Sequence, residues 1–253
     1  MFRRPNPLLT LLLPVLFLAG SAAAQMSRQD VRTFPLSADG RLSLDNVNGD
    51  VTIEAWDRDE VSVETLIRAE TQESLDEVEV AIDATGDSIR IETVYPERRH
   101  HRHDSASVDY TIRMPRGARI DSLELVNGSL ELSGLAGDVK AALVNGRAEA
   151  TELAGDVEIE TVNGSLQVSL TTLEADQSVD LESVNGSLEL KIPGHADAEI
   201  EAETVHGRIS NDFGLEAERD RWVGSNLRGT LGRGGARIEL ENVNGSIDIL
   251  QAD

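Results

Sequence analysis

The sequence predicts an all-β fold: a single-stranded β-helix, or β-solenoid, with about 18–22 residues per coil and a β-rich N-terminal cap. Three observations carry that prediction. Within residues 124–166 a glycine falls at 128, 137, 146, 155 and 164, every ninth position. After each glycine the side chains alternate, with Leu130 and Leu132, Val139 and Ala141, Val157 and Ile159, and Leu166 and Val168 on one face. Glu131, Lys140, Glu158 and Gln167 take the other face. A period of two with one apolar side marks a half-buried strand. Finally, the tripeptides VNG and LAG take turns, so that VNG recurs at Val126, Val144 and Val162, and LAG at Leu135 and Leu153, each at a spacing of 18.

The Asn-Gly pairs punctuate the strands. Glycine enters positive φ without steric cost, and asparagine tolerates the left-handed region better than most residues. The turn positions are Asn48 and Gly49, Asn127 and Gly128, Asn145 and Gly146, Asn163 and Gly164, Asn185 and Gly186, and Asn244 and Gly245. Such turns suit either antiparallel hairpins or a chain that winds and pairs each strand with one a full coil later. Winding is favoured because an 18-residue coil sets like on like, about 4.8 Å apart. Stacked asparagines can then bond to one another as a ladder. The later VNG-type intervals of 22, 21 and 38 residues, to Val184, Val205 and Val243, read as coils carrying inserted loops. The sequons at Asn127, Asn163, Asn185 and Asn244 need no glycan to explain them, since the turn suffices.

From the N-terminus, residues 1–24 read as a signal peptide: Arg3 and Arg4, an apolar run from Leu8 to Leu18, then Ala22-Ala23-Ala24. Residues 25–118 form a β-rich cap region, with a His/Arg-rich loop at 96–107 and a short helix capped near Ser74. Residues 119–253 carry the solenoid repeats and a C-terminal capping coil, and 26–253 also reads as one continuous domain. No aromatic residue lies between 111 and 212, which fits a narrow core of Leu, Val, Ile and Ala. Phe213 and Trp222 gather near the far end, where an open solenoid needs covering.

The repeated units LVNGSLELS, LVNGRAEAT, TVNGSLQVS and SVNGSLELK, the run VDYTIRMPRGARIDSLELVNGSLEL and the terminal GGARIELENVNGSIDIL resemble the bacterial putative-adhesin family over roughly residues 40–250. That resemblance implies an exported or membrane-associated β-helix domain and an interaction role. It supplies no catalytic residues to carry over.

Composition narrows the function. Removing residues 1–24 lowers the 23 basic residues to 21 against 46 acidic ones, a net charge of −25. Phosphate-rich nucleic acid and anionic lipid need the opposite balance. No later stretch is apolar enough to span a bilayer after signal cleavage. The chain has no cysteine, so neither disulfides nor a thiol nucleophile enter. His100, His101 and His103 are weak metal candidates, because a histidine-rich loop offers imidazoles without a pre-set geometry. Carboxylates one coil apart, Asp138 with Asp156 and Glu131 with Glu149, would repel by roughly 1 kcal/mol per pair in water. A divalent cation would relieve them, but the chain lacks the Gly-Gly-x-Gly-x-Asp nonapeptide of calcium-binding β-rolls and exposed side chains can turn apart. No cofactor is implied.

The expected function is an exported, non-catalytic structural or binding module, adhesin-like, of the bacterial cell envelope, in the periplasm or outside the cell. Its partner would be an envelope polysaccharide or protein, met through the outward Glu, Lys, Gln and Thr of the strands. The alternatives are a glycan-active enzyme on a β-helix scaffold and a metal-responsive envelope sensor.

Overall fold

The computed structural model describes residues 26–95, 106–219 and 224–252. The signal-peptide reading and residues 96–105 of the histidine loop therefore lie outside the described residues, while Ala106 and Ser107, read as the end of that loop, belong to the strand Ala106–Pro115. The fold is all-β, built from a ten-stranded and an eleven-stranded mixed sheet. In the middle of the chain the backbone passes from one sheet to the other at every strand. Val139–Asn145 lies in the eleven-stranded sheet, the Asn145-Gly146 corner follows, and Ala148–Leu153 lies in the ten-stranded sheet. We call one such strand pair with its corner a layer.

Successive layers pair in parallel. Val139 lies opposite Val157, Lys140 opposite Glu158 and Ala141 opposite Ile159, while Ala148 meets Leu166 and Ala150 meets Val168. The Asn-Gly pairs therefore do not close hairpins, and the 18-residue spacing is the register of a parallel ladder. Alternation directs Val139, Ala141, Leu143, Ala148 and Ala150 inward, all buried. Inward residues of both sheets join one hydrophobic cluster. One aliphatic file runs Ile89, Leu42, Ile120, Val139, Val157, Val179, Ile238 and Ile200, each opposite the next.

The order of layers departs from the order of the chain. The VNG intervals of 21 and 38 suggest that the layer at Val205 follows that at Val184 and the layer at Val243 comes last. Instead Ala236–Asn244 sits between Ser178–Asn185 and Ala198–His206, and Ile247–Ala252 sits between Leu188–Pro193 and Ile209–Asn211. The C-terminal layer is inserted inside the stack. The long 38-residue interval holds Ser225–Leu231, which pairs antiparallel with Ala198–His206 and, with Ala217–Arg219, finishes that edge. Similarly, Arg41–Asn48 and Val51–Trp56 lie between Ser88–Val94 with Ala106–Pro115 on one side and Arg119–Asn127 with Leu130–Ser133 on the other.

Antiparallel strands finish the first end. Met26–Pro35 pairs with Glu60–Ala69, which pairs with Ala106–Pro115, and Glu79–Thr85 pairs with Ser88–Val94. The short helix is Gln72–Glu77, and its cap is Thr71 rather than Ser74. Thr71 is extended and its hydroxyl accepts the Ser74 amide at 3.1 Å, so Ser74 is already inside the first turn. Tyr110 is buried here with its hydroxyl 2.6 Å from that of Thr93, and burial pushes its pKa up to about 12.

One interior file is polar. Leu125 and Leu143 are followed by Thr161, Ser183 and Asn242, opposite one another in adjacent layers. Thr161 Oγ1, Ser183 Oγ and Asn242 Oδ1 are buried without a hydrogen-bond partner. A buried hydroxyl left unpaired costs about 1–3 kcal/mol, while an apolar group of the same shape does not. Thr161→Val is therefore expected to raise stability by about 1 kcal/mol. A urea titration would show the midpoint moving up with the slope unchanged.

Candidate binding surface

The outer face of the eleven-stranded sheet carries its side chains in straight files, because the parallel register repeats each strand position in the next layer. One file runs Lys140, Glu158, Asp180, Glu239, Glu201 and Arg228. Its charges are partly paired: Lys140 Nζ lies 2.5 Å from Glu158, Arg237 lies 2.7 Å from Glu239, and Arg228 contacts Glu201. The neighbouring file, two residues along each strand, runs Glu160, Glu182, Glu241 and Glu203. Among the described residues none of these four carboxylates forms a salt bridge.

The charge density shows in the protonation equilibria. Burial first, and neighbouring carboxylates second, hold Asp180, Glu182 and Glu241 above the usual carboxylate range. A carboxylate whose folded pKa is raised binds more protons folded than unfolded in the window between its two values, so stability rises as pH falls through that window. Asp39 and Asp197 are shifted the other way and work against the effect at lower pH: a Ser37 hydroxyl bond leads for Asp39, and the Arg233 backbone amide leads for Asp197. The net expectation is a higher melting temperature at about pH 5 than at about pH 7, with part of the gain lost in Glu182→Gln/Glu241→Gln. Differential scanning calorimetry across that range checks it; a monotonic fall on acidification in the parent chain would contradict it.

A third file completes the face. Val47, Val126, Val144, Val162, Val184, Val243 and Val205 are each 37–41% exposed and stand one per layer beside the corner. The Asn-Gly pair of each VNG marks a turn, and the valine before it carries a second signal in its phase. Val162 is out of phase with the buried Val157, Ile159 and Thr161, so alternation alone turns it outward.

Beside the valines runs the asparagine ladder. Each amide nitrogen donates to the previous layer's side-chain oxygen: Asn127 to Asn48 at 3.0 Å, Asn145 to Asn127 at 3.0 Å, Asn163 to Asn145 at 2.9 Å, Asn185 to Asn163 at 3.0 Å and Asn244 to Asn185 at 2.9 Å. His206 takes the next position, opposite Asn244. At the first end the Tyr95 hydroxyl donates to the Asn48 carbonyl at 3.0 Å. The glycine amides donate in the opposite sense, to the next layer, for example Gly146 N to the Asn163 carbonyl at 2.9 Å.

The stacked aspartates serve the backbone. Asp138 Oδ1 accepts the Asp156 amide at 3.2 Å, and Asp156 Oδ1 accepts the Ser178 amide at 2.9 Å. Each carboxylate is thereby spent on the next layer's backbone. Glu131 and Glu149 do lie opposite one another, on the ten-stranded sheet, followed there by Gln167, Glu189 and Asp248. Among the described residues no three His, Asp or Glu side chains converge as a metal site. A depression of about 240 Å³ lined by Asp50, Glu64, Arg68 and Asp109 is structurally committed, since Arg68 pairs with Asp109 and Asp109 accepts the Asp50 amide.

The model of one family, Toastrack DUF4097, matches residues 42–250. The chain belongs to the Toastrack DUF4097 family. Its match covers the whole stack of layers, so the alternating sheets and Asn-Gly corners lie within the family region. A comparison with curated proteins finds no match. Among solved structures, a putative cell adhesion protein from Clostridium sporogenes ATCC 15579 is similar, with 13% identity and a TM-score of 0.56 over 90% of this chain and 100% of that one. A putative adhesin from Bacteroides fragilis NCTC 9343 matches at 10% identity and a TM-score of 0.40, over 89% of this chain and 97% of that one. The first likeness shows a shared fold. Among the described residues no helix is long and apolar enough to cross a membrane.

Proposed function

We propose that this Toastrack chain is an exported, non-catalytic binding module of a bacterial cell envelope, built as a single-stranded β-helix with about 18–22 residues per coil. The observation that carries the reading is the outer face of the eleven-stranded sheet, where a file of four glutamates and a file of seven exposed valines repeat layer after layer. A core needs only the inward half of each strand, so uniform outward files are free to serve recognition. The signal-like N-terminus supports export. The name of the structural neighbour from Clostridium sporogenes, a putative cell adhesion protein, agrees with a binding role.

The test is a thermal-unfolding screen of the purified chain against envelope glycans, peptidoglycan fragments and envelope protein extracts fractionated to purity, with product assays run on every glycan. A partner that binds only the folded state must raise the melting temperature. The expected outcome is a shift with one partner class and no product formed. Turnover of a glycan at a rate that depends on folded protein would overturn the non-catalytic reading.

A further inference from the structure

Resting on the binding-module reading, we propose that the valine file and the adjacent carboxylate file together dock a cationic amphipathic segment of a partner protein. Seven exposed valines in consecutive layers make a ridge of about 29 Å, six spacings of about 4.8 Å. Strand propensity accounts for a β-branched residue at this position, but threonine would satisfy it equally while staying polar. Elsewhere on these strands the outward positions are mostly charged or small, as in Glu158, Asp180, Lys140, Arg237, Ala142 and Ser178. A continuous apolar line on an otherwise charged face marks an interaction surface rather than ordinary scatter.

The flanking file says what covers it. Glu160, Glu182, Glu241 and Glu203 run parallel to Val162, Val184, Val243 and Val205, two residues back along the same four strands. They have no salt-bridge partners among the described residues, whereas the next file outward is partly neutralised by Lys140, Arg237 and Arg228. The uncompensated charge thus sits directly against the apolar ridge. A matching segment carries an apolar line with Lys or Arg along one side of it. A helix of about 20 residues spans about 30 Å and presents such a line through its i, i+3, i+4, i+7 positions, so its length fits the ridge.

An anionic lipid surface would be repelled by the same carboxylates. A second copy brings another chain of net charge −23 and, among the described residues, no basic file of its own beside the ridge.

The probe is a fluorescein-labelled 20-residue peptide of leucines at helical spacing flanked by lysines, titrated into the purified full chain by fluorescence anisotropy. Three variants are compared: Val144→Ser/Val162→Ser/Val184→Ser, Glu160→Gln/Glu182→Gln/Glu241→Gln, and a control on the opposite sheet, Glu131→Gln/Glu149→Gln/Glu189→Gln. All nine positions are outward on their sheets, and circular dichroism confirms folding of each variant. The expected result is a Kd weakened at least about tenfold by each of the first two variants and less than about twofold by the control.

Equal weakening by the control, or no effect of the valine variant, would reduce the binding to net charge and overturn the proposal. So would failure of the peptide to bind, binding of anionic vesicles through the valines instead, or self-association in sedimentation that the valine variant abolishes. A glycan that binds all four proteins equally would overturn this docking surface while leaving the broader binding-module reading intact.

Discussion

Gly164→Ala is expected to cost roughly 3–5 kcal/mol and to lower the melting temperature by on the order of 10 °C, far more than an alanine at a positive-φ glycine outside the stacked corners. At this corner φ is +153°, and a Cβ would lie 1.7 Å from the carbonyl oxygen of Gly146, one layer away. That oxygen belongs to the backbone, so no rotamer change relieves the clash. The layers must separate at the corner, where the Asn163–Asn145 bond and the Gly146 amide bond to the Asn163 carbonyl hold them together. Gly86 supplies the comparison, since its φ is +61° and nothing lies within 4 Å of the point where an alanine Cβ would stand. Gly86→Ala should therefore cost only the conformational strain of about 1–2 kcal/mol. Paired thermal melts of the two variants measure the difference. Equal losses would mean that φ alone selects glycine and that close packing of the layers does not.

The comparison of these glycines shows what was legible in advance. Positive φ at Asn-Gly was readable from residue type, but the closer constraint, a carbonyl from the neighbouring layer, depends on stacking distance. Stacking itself was readable where the interval is constant, because Asn127, Asn145 and Asn163 repeat at 18 residues and do form the ladder. It failed where the interval varies. A gap of 38 residues before Val243 describes equally well one long coil and a detour that returns the chain to the interior of the stack, since loop length constrains ladder order only weakly. The Glu160, Glu182, Glu241 and Glu203 file could not be assembled without that order, although each residue is outward by simple alternation. The valine file needed no order at all, only attention to phase: Val144 follows the buried Leu143, so it must turn away from the core. Asp138 and Asp156 were correctly placed one above the other, yet repulsion was the wrong energy to weigh. Their oxygens meet backbone amides before they meet each other.

Deleting residues 236–253 is expected to abolish cooperative folding altogether, an outcome opposite to that for trimming the last coil of a sequentially stacked solenoid. In a sequential array the final layer contacts one neighbour, and its loss exposes one interface. Here the final strands are interior: Ala236–Asn244 is paired on both sides, by Ser178–Asn185 and Ala198–His206, and Ile247–Ala252 likewise by Leu188–Pro193 and Ile209–Asn211. The deletion removes the fully buried Ile238, Leu240, Ile247 and Ile249. At about 1.5–3 kcal/mol each, their burial alone amounts to about 6–12 kcal/mol, comparable with the whole stability of an ordinary domain at about 5–15 kcal/mol. It also bares Val179, Leu181, Leu188 and Leu190 along two newly unpaired edges, the arrangement that invites aggregation. The competing outcome is closure of the gap, because Asn185 and His206 are 21 residues apart, a separation compatible with direct stacking. Closure would have to set His206 against Asn185 and Thr204 against Ser183 while losing the Asn242 amide bond to the Gly186 carbonyl. Far-ultraviolet circular dichroism and a urea titration of the truncated chain decide between them. A cooperative transition with an undiminished midpoint would show that the inserted layer is dispensable and that the stack can re-register around its absence.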